Sequence, residues 1–324
     1  MRILLTGCAG FIGFHLTKAL LEKKNTVYGI DNLNNYYDVK LKKERLKILK
    51  RNKNFNFKKI NITNISKLES IFLKKIDLII NLAAQAGVQF SFKKPLNYIN
   101  SNIIGFYNIL ELSKKYKIKK ILFASSSSVY GSIKSKKFSE NLKVDEQISL
   151  YAATKKTNEI LANYYANSFG ITILGMRFFT VYGELGRPDM SYFKFSDLHK
   201  KNKNIFLYNN GKHTRDFMYI GDSINIIQKL IKKVVIKKKL LSGNFFDVVN
   251  VACGKRIQLK YLIKLLEKNF NSKIKVKYLP LQKGDVIDTF SNTKKLKKYI
   301  KNFSKTDFKD GIRKFCRWHL EYYK

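Results

Sequence analysis

The sequence predicts a doubly wound α/β fold built on a parallel sheet, and three observations indicate it. Short apolar segments alternate with amphipathic helical segments through the first half of the chain. A glycine-rich turn separates the first apolar segment from the first helical one. Several apolar segments end in small or polar residues, as strands do where their ends meet a ligand. With 324 residues, 45% of them hydrophobic, the chain can bury a large core.

The individual elements follow from hydrophobic periodicity. Predicted strands lie at 3–5, 27–30, 55–60, 77–82, 120–124, 171–177 and 246–251. One predicted helix follows the glycine turn, and others lie at 39–50, 66–73, 96–116, 151–169, 259–269 and 310–322. We expect a first domain at 1–177 and a smaller lobe at 178–324, some segments of which return to the main sheet. Residues 232–239 predict a basic surface loop.

Gly7, Gly10 and Gly13 occupy the turn after the first strand, and Asp31 follows the second strand. The first glycine permits a tight turn, the second lets the backbone approach a pyrophosphate, and the third lets the helix pack closely. The helix N-terminus offers unpaired N–H groups to the phosphates. Asp31 can accept hydrogen bonds from a ribose diol and would repel a 2′-phosphate. The order of strand, glycines, helix, strand and acid therefore predicts a Rossmann-like dinucleotide site.

The formal net charge of +41 is high enough to suggest a polyanionic partner. However, the basic residues are mostly lysines spread over almost every polar segment, alongside frequent asparagine and isoleucine. This distribution favours the codon bias of an AT-rich genome, because a nucleic-acid site would show a basic stripe with interleaved aromatic residues. We expect no nucleic-acid partner, and a field that attracts an anionic substrate.

Cys8, Cys253 and Cys316 are far apart, so they suggest neither a zinc site nor a disulfide framework. We expect no bound metal. No apolar run approaches the roughly 20 residues of a membrane span, and no signal peptide precedes the first strand. We therefore expect a cytoplasmic protein with no membrane partner.

Tyr151 and Lys155 lie four residues apart at the start of a predicted helix, so they share a face. A tyrosine normally titrates at about 10, and it needs neighbouring positive charge to act as a base at neutral pH. The Lys155 ammonium and the positive ring of an oxidised nicotinamide would supply that charge. Ser126, at the end of the fifth strand, can donate to the oxygen that Tyr151 deprotonates. This spacing is common on exposed helices, but beside a dinucleotide fold it predicts a catalytic group.

These motifs resemble those of the extended short-chain dehydrogenase/reductase family, which contains the NAD-dependent epimerases and dehydratases. The matching segments are Thr6-Gly-x-x-Gly-x-x-Gly13, Leu82-Ala-Ala84, Tyr151-x-x-x-Lys155 and Arg215-Asp-Phe-x-Tyr-Ile-x-Asp222, with Asp31 and Ser126. Longer blocks, including Ser125-Ser-Ser-Ser-Val-Tyr-Gly131 and Arg177-Phe-Phe-Thr-Val-Tyr-Gly183, resemble the UDP-glucuronate 4-epimerases. The resemblance covers essentially the whole chain.

The resemblance implies an isomerase that uses bound NAD to epimerise C4 of a UDP-sugar, most closely UDP-glucuronate to UDP-galacturonate, through a 4-keto intermediate. It implies that Tyr151 exchanges the O4 proton and that Ser126 hydrogen-bonds O4. It also implies that Lys155 holds the nicotinamide ribose and lowers the pKa of Tyr151. The residues it places at the cofactor are Gly7, Gly10, Phe11, Ile12, Gly13, Asp31, Asn32, Asn61, Ile62, Leu82, Ala83, Ala84, Asn102, Tyr151, Lys155 and Phe178.

One feature favours an epimerase over related enzymes, and a second bears on a sugar acid as its substrate. Residues 125–128 offer hydroxyls and no carboxylate, whereas related dehydratases and decarboxylases use a second acid in this segment. A 4-keto sugar acid can lose CO₂, so its carboxylate must be held, and an arginine fork suits a carboxylate. By resemblance, the substrate-binding residues are Ser127, Ser128, Thr180, Arg187, Arg215 and Asp285. Each of the last three has an ordinary alternative. Arg187 could be a surface arginine, Arg215 could pair with Asp216 or Asp222, and Asp285 could be a turn aspartate.

Two other hypotheses remain open at this stage. One is a UDP-glucose or UDP-N-acetylhexosamine 4-epimerase, against which Thr180 and Arg187 argue. The other is a non-catalytic NAD-binding Rossmann protein, against which the intact catalytic group argues. Relatives pair through two long helices, so the resemblance also implies a homodimer with a four-helix interface, formed near 96–116 and 151–169.

Overall fold

The computed structural model describes residues 1–133, 135, 137–237, 239–281, 286 and 288–323. Its strands are β1 (Arg2–Thr6), β2 (Thr26–Asp31), β3 (Phe55–Lys59), β4 (Leu78–Asn81), β5 (Lys120–Ser126), β6 (Thr172–Phe178), β7 (Thr180–Tyr182), β8 (Ile205–Leu207), β9 (Thr214–Arg215), β10 (Phe217–Tyr219), β11 (Phe246–Val251), β12 (Ile257–Gln258) and β13 (Val276–Tyr278). Its helices are α1 (Phe11–Glu22), α2 (Val39–Leu49), α3 (Ile65–Phe72), α4 (Val88–Lys93), α5 (Pro95–Tyr98), α6 (Gly105–Lys115), α7 (Leu150–Phe169), α8 (Ser191–Lys200), α9 (Ile220–Ile236), α10 (Leu259–Phe270), α11 (Lys294–Ile300) and α12 (Phe308–Tyr322).

A parallel sheet organises the chain and confirms the predicted fold class. Within the described residues it has seven strands in the order β11-β6-β5-β4-β1-β2-β3. The strand order reverses direction beside β1, which is where doubly wound sheets open a crevice for a ligand. β11 comes from beyond residue 178 and pairs in parallel with β6, from Phe246 opposite Ile173 to Val251 opposite Phe178. The C-terminal part of the chain therefore contributes the edge strand of the main sheet.

Helices cover both faces of the sheet. On one face, α1 and α9 bury apolar side chains such as Phe14 and Ile227 against β1 and β6. On the other face, α3, α6 and α7 bury side chains such as Leu68, Phe106 and Ala162. A separate apolar cluster joins α8, α10 and α12 beyond the sheet edge. Central strands such as β4 and β6 are buried on both sides, as parallel strands between helical layers must be.

Two predictions about helices differ from the structure. The predicted helix 96–116 is divided into α5, a π-helical turn at Ile99–Ile104, and α6. The prediction of a surface loop at 232–239 was wrong for residues 232–236, which belong to α9, and residue 238 lies outside the described residues. That helix is amphipathic, with Ile220, Ile224 and neighbouring apolar residues buried, and the lysines lie near its end.

Candidate active site

A cavity of about 1010 Å³ lies at the carboxyl-terminal edge of the sheet. It is lined by the glycine turn, by the ends of the central strands, and by Phe206, Tyr208 and His213 of the C-terminal lobe. Single small-molecule cavities run to roughly 1,000 Å³. This cavity reaches the upper end of that range, which suits a large ligand or two ligands placed end to end.

The glycine turn fits closely between α1 and β4. Gly7 has a φ of +73°, and its N–H donates to the Ile30 carbonyl at 2.7 Å. A Cβ on Gly7 would lie 2.8 Å from the Ala83 nitrogen, and a Cβ on Gly13 would lie 2.0 Å from the Gly7 carbonyl oxygen. Helix α1 begins without a side-chain cap or an acidic residue in its first turn. Its N-terminus can therefore receive an anionic group.

Asp31 lies at the end of β2 and is 8% exposed. One of its carboxylate oxygens accepts from the Ala9 N–H at 3.2 Å, and the other accepts from the Leu33 N–H at 2.8 Å. These bonds fix the carboxylate next to the glycine turn. Each carboxylate oxygen has a further lone pair for a ribose hydroxyl.

Tyr151 sits in the first turn of α7, which Ser149 caps by accepting from the Ala152 N–H at 3.2 Å. Burial raises the pKa of Tyr151, and a hydrogen bond with the Ser126 side chain and the charge of Arg187 oppose that rise. The Ser126 and Ser128 hydroxyl oxygens also lie within hydrogen-bond distance of each other, at 3.1 Å. A phenol is thus held in the cavity wall beside hydroxyls that can hydrogen-bond the same ligand oxygen.

Lys155 lies one turn further along α7 and is 4% exposed. Its ammonium group donates to the Ala124 carbonyl at 2.8 Å. Burial lowers the pKa of Lys155 to about 8, and the Glu159 carboxylate limits the fall. The effect of Lys155 on the pKa of Tyr151 stays a prediction of the resemblance, and in this structure the Ser126 and Arg187 side chains lower that pKa.

Glu159 belongs to a buried group behind Tyr151 and Lys155. Its carboxylate accepts from Nε and Nη2 of Arg177 at 2.8 and 2.7 Å, and from the Ser125 hydroxyl at 2.6 Å. The Arg177 guanidinium also lies over the Tyr130 ring, 5.0 Å from its centroid. This network fastens α7 to the ends of β5 and β6, and thereby holds Tyr151 and Lys155 over the strand ends.

Arg187 and Asp189 face the cavity from the loop after β7. Asp189 accepts from Nε of Arg187 at 3.0 Å and from Nη2, which makes the contact bidentate. The Tyr36 hydroxyl, from the loop after β2, donates to Asp189 at 3.0 Å. Burial would raise the pKa of Asp189, but the Arg187 guanidinium holds that pKa below its ordinary value. The cavity wall therefore contains an ion pair between Arg187 and Asp189.

Comparison with known proteins places this architecture in a family. The model of the NAD dependent epimerase/dehydratase family matches residues 3–251. The chain belongs to that family. It is 40% identical to a UDP-glucuronate 4-epimerase of Thermodesulfobacterium geofontis, covering 98% of this chain and 96% of the relative. It is 42% identical to protein CapI of Staphylococcus aureus, with both chains fully covered.

A solved structure with the same overall architecture is the UDP-glucuronic acid 4-epimerase of Bacillus cereus, in complex with UDP-glucuronic acid and NAD. It is 32% identical to this chain, covers 100% of both chains, and superposes with a TM-score of 0.91. For a member of this family, the tight packing around Gly7 and Gly13 has a direct meaning. The glycine turn and the uncapped start of α1 fit the pyrophosphate of NAD.

Most residues predicted at the cofactor and substrate line this one cavity. They are Gly7, Gly10, Phe11, Ile12, Gly13, Asp31, Asn32, Asn61, Ile62, Leu82, Ala83, Ala84, Ser126, Ser127, Ser128, Tyr151, Lys155, Phe178, Thr180, Arg187 and Arg215. Asn102 is 1% exposed and lies behind the lining, where its amide bonds to the backbone of Gln85 and to Thr154. Asp285 lies outside the described residues.

Arg215 lines the cavity, and its Nη1 donates to the Thr214 carbonyl at 2.9 Å. The two carboxylates considered as structural partners for it bind elsewhere. Asp216 accepts from the Cys253 N–H at 3.0 Å, and Asp222 accepts from the Thr306 N–H at 2.6 Å.

Sequence reasoning missed several residues of the cavity wall. Tyr36 and Lys42 come from the loop and helix after β2, and Asp189 follows Arg187 in the chain. No spacing rule in the sequence marks Tyr36 or Lys42, because the course of the chain after β2 depends on contacts distant in sequence. The available signal for Asp189 was its position two residues after a predicted carboxylate-binding arginine.

Within the part of the chain that the structure describes, no helix is long and apolar enough to cross a membrane. The same residues contain no group of three or more histidine, cysteine, aspartate or glutamate side chains that could hold a metal ion.

Proposed function

We propose that the protein interconverts UDP-glucuronate and UDP-galacturonate by inverting C4 of the sugar, with NAD bound along the glycine turn. The observation that carries this proposal is the shared cavity of about 1010 Å³, whose wall includes Asp31, Tyr151 with Ser126, and the Arg187 fork. A sequence that resembles the sugar-acid epimerases over its whole length supports the same substrate.

The residues of the chain divide the work between proton transfer and binding. Tyr151 takes the O4 proton as the sugar is oxidised and returns it after the keto ring has turned over. Ser126 hydrogen-bonds O4 of the bound sugar, and in the free protein its hydrogen bond with Tyr151 lowers the pKa of that phenol. Lys155 is buried where its ammonium can hold the nicotinamide ribose, beside the Ala124 carbonyl. Bound NAD would supply the hydride chemistry, as the acceptor of the C4 hydride and then as its donor to the opposite face of the keto sugar.

The sugar carboxylate requires its own binding group, because a β-keto acid can lose CO₂. We assign this role to Arg187, supported by hydroxyls of Thr180, Ser127 and Ser128 that line the same cavity. Asp189 is a carboxylate in the cavity, but its ion pair with Arg187 holds its pKa low. It therefore does not supply the proton that dehydration at C5 would need.

The test is incubation of purified, NAD-loaded protein with UDP-glucuronate and, separately, with UDP-glucose. We expect UDP-galacturonate as the product, and no turnover with Tyr151→Phe. Arg187→Ala should weaken UDP-glucuronate binding by about tenfold or more, since a charged hydrogen-bonded pair contributes about 1.5–3 kcal/mol. The same variant should release a UDP-pentose. Unchanged kinetics without pentose would reject the role of Arg187, and conversion of UDP-glucose alone would reject the substrate.

We also propose a homodimer with a four-helix interface, a cytoplasmic location, and a working division at residue 177 in which the C-terminal lobe binds the sugar nucleotide. Exposed apolar side chains support the dimer. Ile104 and Tyr107 at α6, and Ile160 and Tyr164 on α7, are each between 44% and 58% exposed. A patch of this kind favours association with another surface. Sedimentation of the wild type and of Ile160→Glu would test it.

A further inference from the structure

The ion pair between Arg187 and Asp189 lies in the cavity wall. The arginine proposed to hold the substrate carboxylate already binds a carboxylate of the protein. The Asp189 carboxylate accepts hydrogen bonds from Nε and Nη2 of Arg187, and the Nε–Oδ1 distance is 3.0 Å. Both side chains are only about one quarter exposed, at 26% and 25%. A bidentate contact uses two of the five N–H donors of a guanidinium, so three remain for another partner.

Asp189 is itself held from a second loop. The Tyr36 hydroxyl donates to it at 3.0 Å, and the Tyr36 ring packs against Phe90 with centroids 4.8 Å apart. The pair is therefore built into the cavity wall by two loops that are far apart in sequence. An arginine fork held in this way has a fixed direction, and its charge is largely balanced before a substrate arrives.

The proposed reaction explains why such balance is useful. The keto ring must turn over between two hydride transfers, so its carboxylate must leave one position and take another. A partly buried, unbalanced guanidinium would bind that carboxylate strongly, because charge pairs gain strength where water is scarce. We propose that Asp189 is a positioning residue that aims Arg187 and weakens its hold on the sugar carboxylate enough for the ring to turn. This inference rests on the proposed epimerase function.

The decisive measurement is binding rather than turnover. The charge of Asp189 also acts on the pKa of Tyr151, so the comparison is made in a Tyr151→Phe background, where that effect cannot contribute. We would measure calorimetric Kd values of NAD-loaded protein for UDP-glucuronate and for UDP-glucose, with and without Asp189→Asn. Asparagine keeps the size of the side chain and an oxygen acceptor but removes the charge.

We expect Asp189→Asn to tighten UDP-glucuronate binding by roughly tenfold, the order of effect for one charge acting across a few ångströms at the cavity wall. Binding of UDP-glucose, which lacks the carboxylate, should stay within about twofold. With Tyr151 restored, the variant should show a lower KM and a lower kcat for UDP-glucuronate. The absorbance of reduced nicotinamide should build up during turnover, because the keto sugar stays in place longer.

Two further variants separate charge from shape. Asp189→Ser removes the same charge with a smaller side chain and must shift UDP-glucuronate binding in the same direction. Tyr36→Phe keeps the charge and removes only the hydroxyl that holds Asp189, so it should change that affinity by much less than Asp189→Asn does. Weaker or unchanged UDP-glucuronate binding in Asp189→Asn, or equal changes for both nucleotides, would overturn the inference. Failure of the wild type to convert UDP-glucuronate would instead reject the proposed function.

Discussion

The buried ion pair of Glu159 and Arg177 can be used to test how α7 is held against the sheet. The two side chains are 6% and 3% exposed, and they meet at 2.7 and 2.8 Å. Glu159→Gln would leave the Arg177 charge buried without its counter-ion. Breaking a buried pair in this way costs about 3–5 kcal/mol. Glutamine keeps one acceptor oxygen for Arg177 or Ser125, so we expect a loss of about 3 kcal/mol in the free energy of unfolding.

The assay is urea unfolding at neutral pH, with the change in free energy taken from the midpoint at constant slope. The matched control is Glu321→Gln on the surface of α12. Glu321 meets Arg317 at 3.1 Å, but the two side chains are 59% and 83% exposed. Exposed pairs contribute under about 1 kcal/mol, so this variant should change little. A loss below about 1 kcal/mol for Glu159→Gln, or equal losses in both variants, would refute the assigned role of burial.

Three other predictions concern the site. Ser126→Ala should raise the pKa of Tyr151, because it removes a hydrogen bond that lowers that pKa, and the acidic limb of the kcat profile should move to higher pH. An unmoved limb would contradict this. Gly13→Ala should abolish NAD retention on purification, since its Cβ would lie 2.0 Å from the Gly7 carbonyl oxygen; full retention would contradict the packing. Lys155→Met should inactivate the enzyme yet gain roughly 2 kcal/mol of stability at pH 7, because burial disfavours the charged amine.

The sign of the Lys155 effect follows from linkage. Burial lowers its pKa to about 8 in the folded protein, whereas an unfolded lysine titrates at about 10.4. Between these values the unfolded chain binds more protons, so wild-type stability rises with pH. The advantage of Lys155→Met should be fully present below pH 8 and shrink towards pH 10. Urea unfolding at both pH values checks this, and a constant difference would contradict it.

Local pattern was enough to predict the framework. The glycine turn, the strand after it and Asp31 lie within 30 residues, and their meaning depends on neighbours in the chain. The spacing of Tyr151 and Lys155 likewise depends only on helix geometry. Because parallel strands end at one edge, the sequence also brought the ends of distant strands together. The predicted strands and the doubly wound sheet are accordingly present in the structure.

Tertiary structure alone decided which side chains from distant segments come into contact. Tyr36 and Asp189 are 153 residues apart in the chain, and no periodicity relates them. The same holds for β11, which joins β6 at the edge of the sheet, and for Asn102, which a π-helical turn places behind the cavity wall. Periodicity records which face of an element is buried, but not which other element buries it. Contacts between distant segments depend on which elements pack together. The hydrogen bond of Tyr36 with Asp189, beside Arg187, therefore follows only from the packing of the two loops.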